Sequence, residues 1–176
     1  MDLNSTAYVI LGLLRKGPKS GYEIKSIVDR STRFFWAASY GQIYPELRRL
    51  AEAGLIEGES TPQGGRKRTV YTLTADGRRE LRRWLDEPPE VFEMRDEGLL
   101  KLFFSGAKPQ AARTALEARR AYYEDKLRQL EEIEPLARSA PDEFPYMVLR
   151  CGVALSEFSI EWCDQALAEL DGKEAA

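Results

Sequence analysis

The sequence of 176 residues predicts a mainly α-helical fold with a small β-hairpin, divided between two domains. Apolar residues recur at three- and four-residue intervals along most of the chain, which is the period of amphipathic helices, and one short stretch has strand and turn composition. Residues 1–86 have 15 Lys and Arg against 10 Asp and Glu, a net charge of +5, whereas residues 87–176 have 11 against 19, a net charge of −8. Two prolines interrupt the helical pattern at 86–92, so the predicted domains are 1–86 and 87–176.

Capping signals define the first two helices. Asn4, or the serine after it, caps a helix that stops at Gly17 and the proline beyond it. Ser20 and Glu23 have the spacing of a capping box, in which each side chain bonds to the other residue's backbone N–H, and they open a second helix. The aromatic residues 34–36 follow, and we expect them to pack in the core between the second and third helices.

A second capping box, Ser39 with Gln42, opens the third helix, which ends at Gly54. Pro45 lies inside this helix, where it lacks the N–H that would bond to the carbonyl oxygen of Gly41. Glycine at that position gives the backbone room to relax around the proline ring. The cost of the proline is therefore reduced, although it is not removed.

The third helix has one apolar face and one small, polar face. At about 100° per residue, the face expected in the core contains Ile43, Leu47 and Leu50. The opposite line contains Gly41, Pro45, Arg48 and Glu52. Because the first two of these have little bulk, we expect the start of the helix to approach a groove floor closely. Glutamine pairs with adenine, arginine with guanine, and tyrosine or serine with phosphates. The candidates for such contacts are Ser39, Tyr40, Gln42, Tyr44, Arg48 and Arg49. A plain solvated helix face is the alternative interpretation of the two arginines.

A basic hairpin follows the third helix. Residues 55–60 and 69–73 have strand composition, and the segment 61–68 between them is a basic turn that contains Gly64 and Gly65. The turn carries three cations that could reach phosphates or the minor groove of DNA, namely Arg66, Lys67 and Arg68.

A fourth helix, capped by Thr74, completes the first domain and has Leu81, Trp84 and Leu85 on its apolar side. Three helices followed by a hairpin and a helix form the winged helix-turn-helix arrangement, in which the third helix enters the major groove of DNA. The basic turn is then the wing.

The second domain is predicted to be helical and dimeric. Residues 108–138 and 143–171 have the pattern of two long amphipathic helices joined by a turn, and a shorter helix precedes them. These helices supply little core for a monomer, so we expect their apolar faces to meet a second copy. A two-fold dimer would place two third helices roughly 34 Å apart, one turn of DNA. The residues predicted at the dimer interface are Leu116, Tyr123, Leu127, Leu130, Val148, Leu155 and Trp162.

A ligand pocket between the domains or at the dimer core would have aromatic and sulfur side chains as its walls. The candidates are Phe103, Phe104, Tyr122, Tyr123, Met147 and Trp162. Ordinary core packing explains the same residues more simply, so the sequence assigns no effector site.

The composition excludes several classes of function. The chain has no histidine, which removes the commonest general base and the commonest zinc ligand, and we predict no catalytic residue, metal site or cofactor. Cys151 and Cys163 would lie about 18 Å apart on one helix, too far for a disulfide, and both are expected to be packed thiols. No apolar run approaches the ~20 residues of a membrane span, and no secretory leader is evident, so we expect a cytoplasmic protein without membrane partners.

Five segments of the sequence resemble the PadR family of bacterial transcriptional regulators: "YVILGLL", "SGYEIK", "ASYGQIYPELRRLAEAGLIE", "GGRKRTVYTLTADGRREL" and "LLKLFFSG". The resemblance is close over residues 3–85, and the rest is similar to the longer subgroup with a multi-helix C-terminal domain. It implies a homodimeric repressor that binds double-stranded DNA at an inverted-repeat operator and is released or modulated by a small molecule, often a phenolic or lipophilic one. It also implies that DNA is contacted by the third helix and the wing, which here correspond to Ser39, Tyr40, Gln42, Tyr44 and Arg48 and to Arg66, Lys67 and Arg68.

Two other functions compete with this interpretation. A winged helix can serve as a protein interaction module that never binds nucleic acid, because a fold does not fix a function. The positive charge of the first domain argues against that alternative. An enzyme is a distant third, because the sequence shows no clustered nucleophile and base and no glycine-rich phosphate loop.

Overall fold

The computed structural model describes residues 3–63, 66–89, 95–108 and 110–174, and at 61–63, 66–67 and 173–174 it describes the backbone alone. The chain divides into two compact units, Met1–Val91 and Phe92–Ala176. The division falls within the proline-containing stretch 86–92, and the domain bounds 1–86 and 87–176 stay a prediction.

Within its described residues, the first unit contains four α-helices and a three-stranded antiparallel sheet. In chain order its elements are α1 (Ser5–Leu14), β1 (Lys19–Ser20), α2 (Gly21–Arg30), α3 (Tyr40–Glu52), β2 (Ile56–Gln63), β3 (Arg66–Leu73) and α4 (Ala75–Asp86). The strand order in the sheet is β1-β3-β2. This order of elements confirms the predicted winged helix-turn-helix arrangement.

The predicted capping residues begin the helices. The Asn4 side chain accepts a hydrogen bond from the Ala7 N–H at 3.0 Å, and Ser20 and Glu23 form the expected reciprocal box at the start of α2. Thr74 caps α4. Gly54 has a φ of +70°, a left-handed conformation that favours glycine at the end of α3.

The core of the first unit lies where α1, α2 and α3 meet the base of the sheet. Its fully buried side chains include Ile10, Leu11, Ile24, Ile43, Leu47, Leu50 and Leu73. The three apolar residues predicted on α3 are thus all buried, and α3 has its opposite side available to solvent.

The strands of the hairpin are longer than predicted, and the sheet has one more strand than the hairpin supplies. Residues 61–63 and 66–68 belong to the strands, because β2 and β3 pair continuously as far as Gln63 with Arg66. Polar residues and Pro62 hid this strand from a composition-based prediction, since cross-strand pairing rather than propensity extends it. The glycines at 64 and 65 lie outside the described residues. Strand β1 was missed because a two-residue strand has no periodicity.

The expected burial of the aromatic segment 34–36 is wrong. Phe35 and Trp36 are exposed and Phe34 is half-buried, because a 3-10 turn at Thr32–Phe34 directs the following residues away from the core. Leu85 of α4 is exposed as well, and Trp84 covers Tyr8 of α1 by stacking, with ring centroids 4.5 Å apart.

The second unit consists of α5 (Glu97–Phe103), α6 (Gln110–Arg138) and α7 (Phe144–Glu174). The long helices pack as a pair around Leu116, Leu130, Leu149 and Cys163. Two ion pairs also join them, Arg113 with Asp171 and Arg120 with Asp164. Gly152 permits close packing, since a Cβ there would lie 3.2 Å from Leu130 Cδ1.

The residues predicted at the dimer interface differ in how far they are buried within the single chain. Leu116 and Leu130 are buried within the chain itself, and Leu130 packs against Gly152 of α7. Tyr123, Leu127 and Trp162 are half-buried, and Val148 and Leu155 remain exposed. Cys163 is a packed thiol whose pKa is raised by burial, whereas Cys151 is exposed, contrary to the prediction.

Candidate nucleic-acid interface

The outward side of α3 brings together most of the predicted contact residues. Gly41, Gln42, Tyr44, Pro45 and Arg48 are all exposed, with Ile43 alone turned inward among residues 41–45. Ser39 and Tyr40 are exposed at the start of the same helix. The helix therefore presents the small residues and the longer polar ones on one accessible surface.

Gln42 has a role in the helix cap. Its Oε1 accepts a hydrogen bond from the Ser39 N–H at 2.9 Å. Because an amide oxygen accepts up to two hydrogen bonds, the capping Gln42 can accept one more at Oε1 and can donate through its amide group.

Two tyrosines are held in place beside the start of α2. The rings of Tyr40 and Tyr44 stack with centroids 6.0 Å apart, and the Lys25 Nζ lies 5.2 Å from the Tyr40 centroid. Gly21 allows Tyr44 to approach, because a Cβ on Gly21 would lie 2.8 Å from Tyr44 Cε1. The sequence interpretation missed Lys25 and Gly21, since these contacts join different helices.

The two arginines of α3 have different partners. The Arg49 Nη2 lies 2.7 Å from Glu46 Oε1, and the buried Glu46 carboxylate also accepts a hydrogen bond from Asn4 Nδ2 at 3.1 Å. Arg48 is exposed, and its positive charge opposes the rise that burial produces in the pKa of Tyr71 on β3. Arg48 thus faces outward beside the wing strand, whereas Arg49 ties α3 to the cap of α1.

Of the three wing cations, the structure describes the side chain of Arg68 but not those of Arg66 and Lys67. Arg66 and Lys67 belong to β3, but their side chains lie outside the described part of the chain. The Arg68 Nη2 lies 2.9 Å from Glu23 Oε2, so Arg68 contacts α2. Sequence reasoning recognised Glu23 as a capping residue but had no signal for this contact between residues 45 positions apart.

A separate cavity of about 880 Å³ lies in the second unit. Of the six aromatic and sulfur residues considered as pocket walls, Tyr122 and Tyr123 line it. Arg119 lines it too and is fixed by an ion pair with Asp96 and by the faces of Tyr123 and Trp162. Phe103, Phe104 and Met147 are exposed side chains that this cavity does not include.

The described residues contain no group of three or more Cys, Asp or Glu side chains arranged to hold a metal ion. Among the helices in the described ranges, none is both long and apolar enough to cross a membrane.

Comparison with known proteins assigns the chain to a family. Residues 10–83 match the model of the "Transcriptional regulator PadR-like family", and residues 94–171 match that of the "Virulence activator alpha C-term". The negative transcriptional regulator PadR of Bacillus subtilis is 35% identical over 175 residues, which cover 93% of this chain and 96% of that protein. The chain belongs to the PadR-like family of transcriptional regulators.

Two solved structures of the Bacillus subtilis PadR protein resemble the whole chain. The complex with operator DNA has a TM-score of 0.85 at 34% identity and covers 95% of this chain and 99% of that one. The complex with p-coumaric acid has a TM-score of 0.77 at 34% identity, with coverage of 96% and 99%. The PadR-like match runs from the second half of α1 through most of α4, and the second match contains α5 and α6 and nearly all of α7. The expected family resemblance is therefore confirmed for both units.

Proposed function

We propose that the chain is a DNA-binding repressor that recognises a palindromic operator as a homodimer and is released by a small phenolic or lipophilic effector. The observation that carries this proposal is the outward side of α3, where Tyr40, Gln42, Tyr44 and Arg48 are exposed together around the small residues Gly41 and Pro45. A 34% identical PadR protein binds operator DNA, and its fold matches this chain over nearly the full length.

In the proposed complex, the start of α3 enters the major groove. Arg48 and Gln42 contact base edges, and Ser39, Tyr40 and Tyr44 hold phosphates. Arg66 and Lys67 neutralise phosphates beside the groove. Arg49 supports α3 from within, since its guanidinium is engaged by Glu46.

The proposed division of labour follows the two units. Residues 1–86 bind DNA, and residues 87–176 dimerise and hold the effector. Exposed apolar side chains along α7 support the second role, and they include Phe144, Met147, Val148, Leu155 and Phe158. The effector class is supported by the p-coumaric acid complex of the Bacillus subtilis protein. A regulator of this kind acts in the cytoplasm, where bacterial DNA lies.

The proposal is tested by selecting bound fragments from random DNA with the full-length protein. The expected result is one enriched inverted repeat with half-sites about one helical turn apart, bound with an affinity that falls steeply as salt rises. Changing Arg66, Lys67 and Arg68 together to Ala should abolish that binding.

The matched control changes three exposed arginines of the second unit, Arg128, Arg138 and Arg150, together to Ala. This variant removes the same charge and should bind the selected DNA like the unchanged protein. A selection that enriches no sequence would favour the alternative, a winged-helix module that binds other proteins.

A further inference from the structure

The base of the wing is attached to the start of α2 by two different contacts. Strand β1 pairs with β3 through Lys19 with Tyr71 and Ser20 with Val70. Arg68 lies two residues further along β3 towards the wing tip, beyond the described ladder between β1 and β3. The ion pair between Arg68 and Glu23 therefore joins β3 to α2 at a point closer to the wing tip than the ladder between β1 and β3.

A single carboxylate oxygen of Glu23 accepts three hydrogen bonds from the residues that form this attachment. Glu23 Oε2 accepts hydrogen bonds from the Ser20 N–H at 2.8 Å and the Ser20 hydroxyl at 2.6 Å, and from Arg68 Nη2 at 2.9 Å. Ser20 is both the last residue of β1 and the cap of α2. The Glu23 side chain therefore joins β1, the first turn of α2 and β3.

Glu23 is ionised under all ordinary conditions. The hydrogen bonds from Ser20, followed by the one from Arg68, lower the pKa of the Glu23 carboxyl to about 2. Arg68 is always protonated, so the contact is a charge-assisted hydrogen bond between full charges.

We propose that Arg68 is a positioning residue, which fixes the wing against the start of α2 through Glu23 and so sets where the other wing cations meet DNA. This inference rests on the proposed DNA-binding function. It separates Arg68 from Arg66 and Lys67, with which sequence analysis grouped it. A guanidinium that already neutralises a carboxylate adds no net positive charge to the surface. Arg68 therefore contributes to DNA binding by setting the position of the wing.

The test uses the single variants Glu23→Gln and Arg68→Gln and the double variant in the full-length protein. Glutamine at residue 23 keeps an acceptor oxygen for the capping box and removes the negative charge. If Arg68 positions the wing, each single variant should bind the selected operator about two- to fivefold more weakly, the range expected for an exposed ion pair. The double variant should be no weaker than either, and the salt dependence should be unchanged.

Direct contact between Arg68 and a phosphate predicts a different pattern. Glu23→Gln would then strengthen binding, because it frees a cation and raises the net charge by one. Arg68→Gln would lower the slope of log affinity against log salt by about 0.9. Either result would overturn the positioning role, as would unchanged affinity in both variants.

A second readout needs no DNA. Amide hydrogen exchange along β3 should be faster in Glu23→Gln and Arg68→Gln than in the unchanged protein, because the outer part of the wing loses an attachment. The matched control is the pair Asp76→Asn and Arg79→Gln, an exposed ion pair on α4 of the same unit, which should leave wing exchange unchanged. Unaltered exchange in the Glu23 and Arg68 variants contradicts the inference even if the protein binds no DNA, so its failure is distinguishable from failure of the proposed function.

Discussion

Arg48 and Arg49 are neighbours in the sequence and have different environments. Arg48 is exposed on the outward side of α3, whereas Arg49 is bound to Glu46, which is only 6% exposed. Helical periodicity predicted that Arg48 is exposed, because the side of a helix on which a residue lies depends on the α3 sequence alone. The role of Arg49 depends on the burial of Glu46 and on its contact with Asn4, which is distant in the sequence.

Replacing each arginine by Ala should separate these roles. Arg48→Ala should weaken operator binding, lower the salt slope by up to about 0.9 and leave stability unchanged within about 0.5 kcal/mol. Arg49→Ala should lower the free energy of unfolding by about 1–3 kcal/mol, because the buried Glu46 carboxylate loses its cationic partner. Chemical denaturation and DNA titrations at several salt concentrations measure both effects. If Arg48→Ala destabilised the fold and Arg49→Ala did not, the assignment would be reversed.

At the scale of elements, the first turn of α4 is packed unusually tightly against the chain that leads into β2. Thr74 Oγ1 lies 2.8 Å from the Gly54 carbonyl oxygen and 2.9 Å from that of Leu55, between which its single proton is shared, and it accepts from the Gly77 N–H at 3.0 Å. A Cβ on Gly77 would lie only 2.1 Å from the Leu55 carbonyl oxygen. The glycine is needed here for close approach to backbone that has little freedom to move.

Gly77→Ala should therefore destabilise the first unit by about 1–3 kcal/mol or more, because the α4 turn must move away from Leu55. Gly12→Ala is the matched control, since Gly12 is inside α1 and, apart from its chain neighbours and the backbone of its own helix, no atom lies within 4 Å of the added Cβ. That change should raise stability by about 0.5–1 kcal/mol through the higher helix propensity of alanine. Thermal and denaturant unfolding of the two variants measure the contrast, and equal effects would contradict the close-approach explanation.

At the scale of the whole molecule, the proposed dimer requires the exposed apolar side of α7. Leu155→Glu combined with Phe158→Glu places two charges on that surface and should give a monomer in sedimentation analysis. Operator affinity should fall at least about 100-fold, because both half-sites no longer bind together. Leu85→Glu, at an exposed leucine of the first unit, should leave the mass unchanged. A double variant that stays dimeric would place the interface elsewhere.

Local signals predicted most of the fold. Capping boxes and apolar periodicity identified the major helices, because a helix is specified largely by its own residues. Most errors concern features that need a distant partner: the extension of β2 and β3, the short β1 and the Arg68 contact. The exposure of Phe35 and Trp36 has a local cause, the 3-10 turn at Thr32–Phe34. For the candidate interface, helical periodicity predicts the outward side of α3, whereas the contacts that fix Tyr44 and Arg68 join distant residues and have no local signal.

The contrast between the two thiols on α7 has a practical consequence. Cys151 is accessible, whereas Cys163 is enclosed and has a raised pKa, so a maleimide or nitroxide reagent reacts at the first and spares the second. The unmodified chain therefore already carries a single attachment point for a spectroscopic probe. Cys151 lies three residues after Val148 and four before Leu155, on the side of α7 that the proposed dimer covers. Its rate of modification should therefore fall when two copies pair, and that rate reports on the pairing with and without an added small molecule.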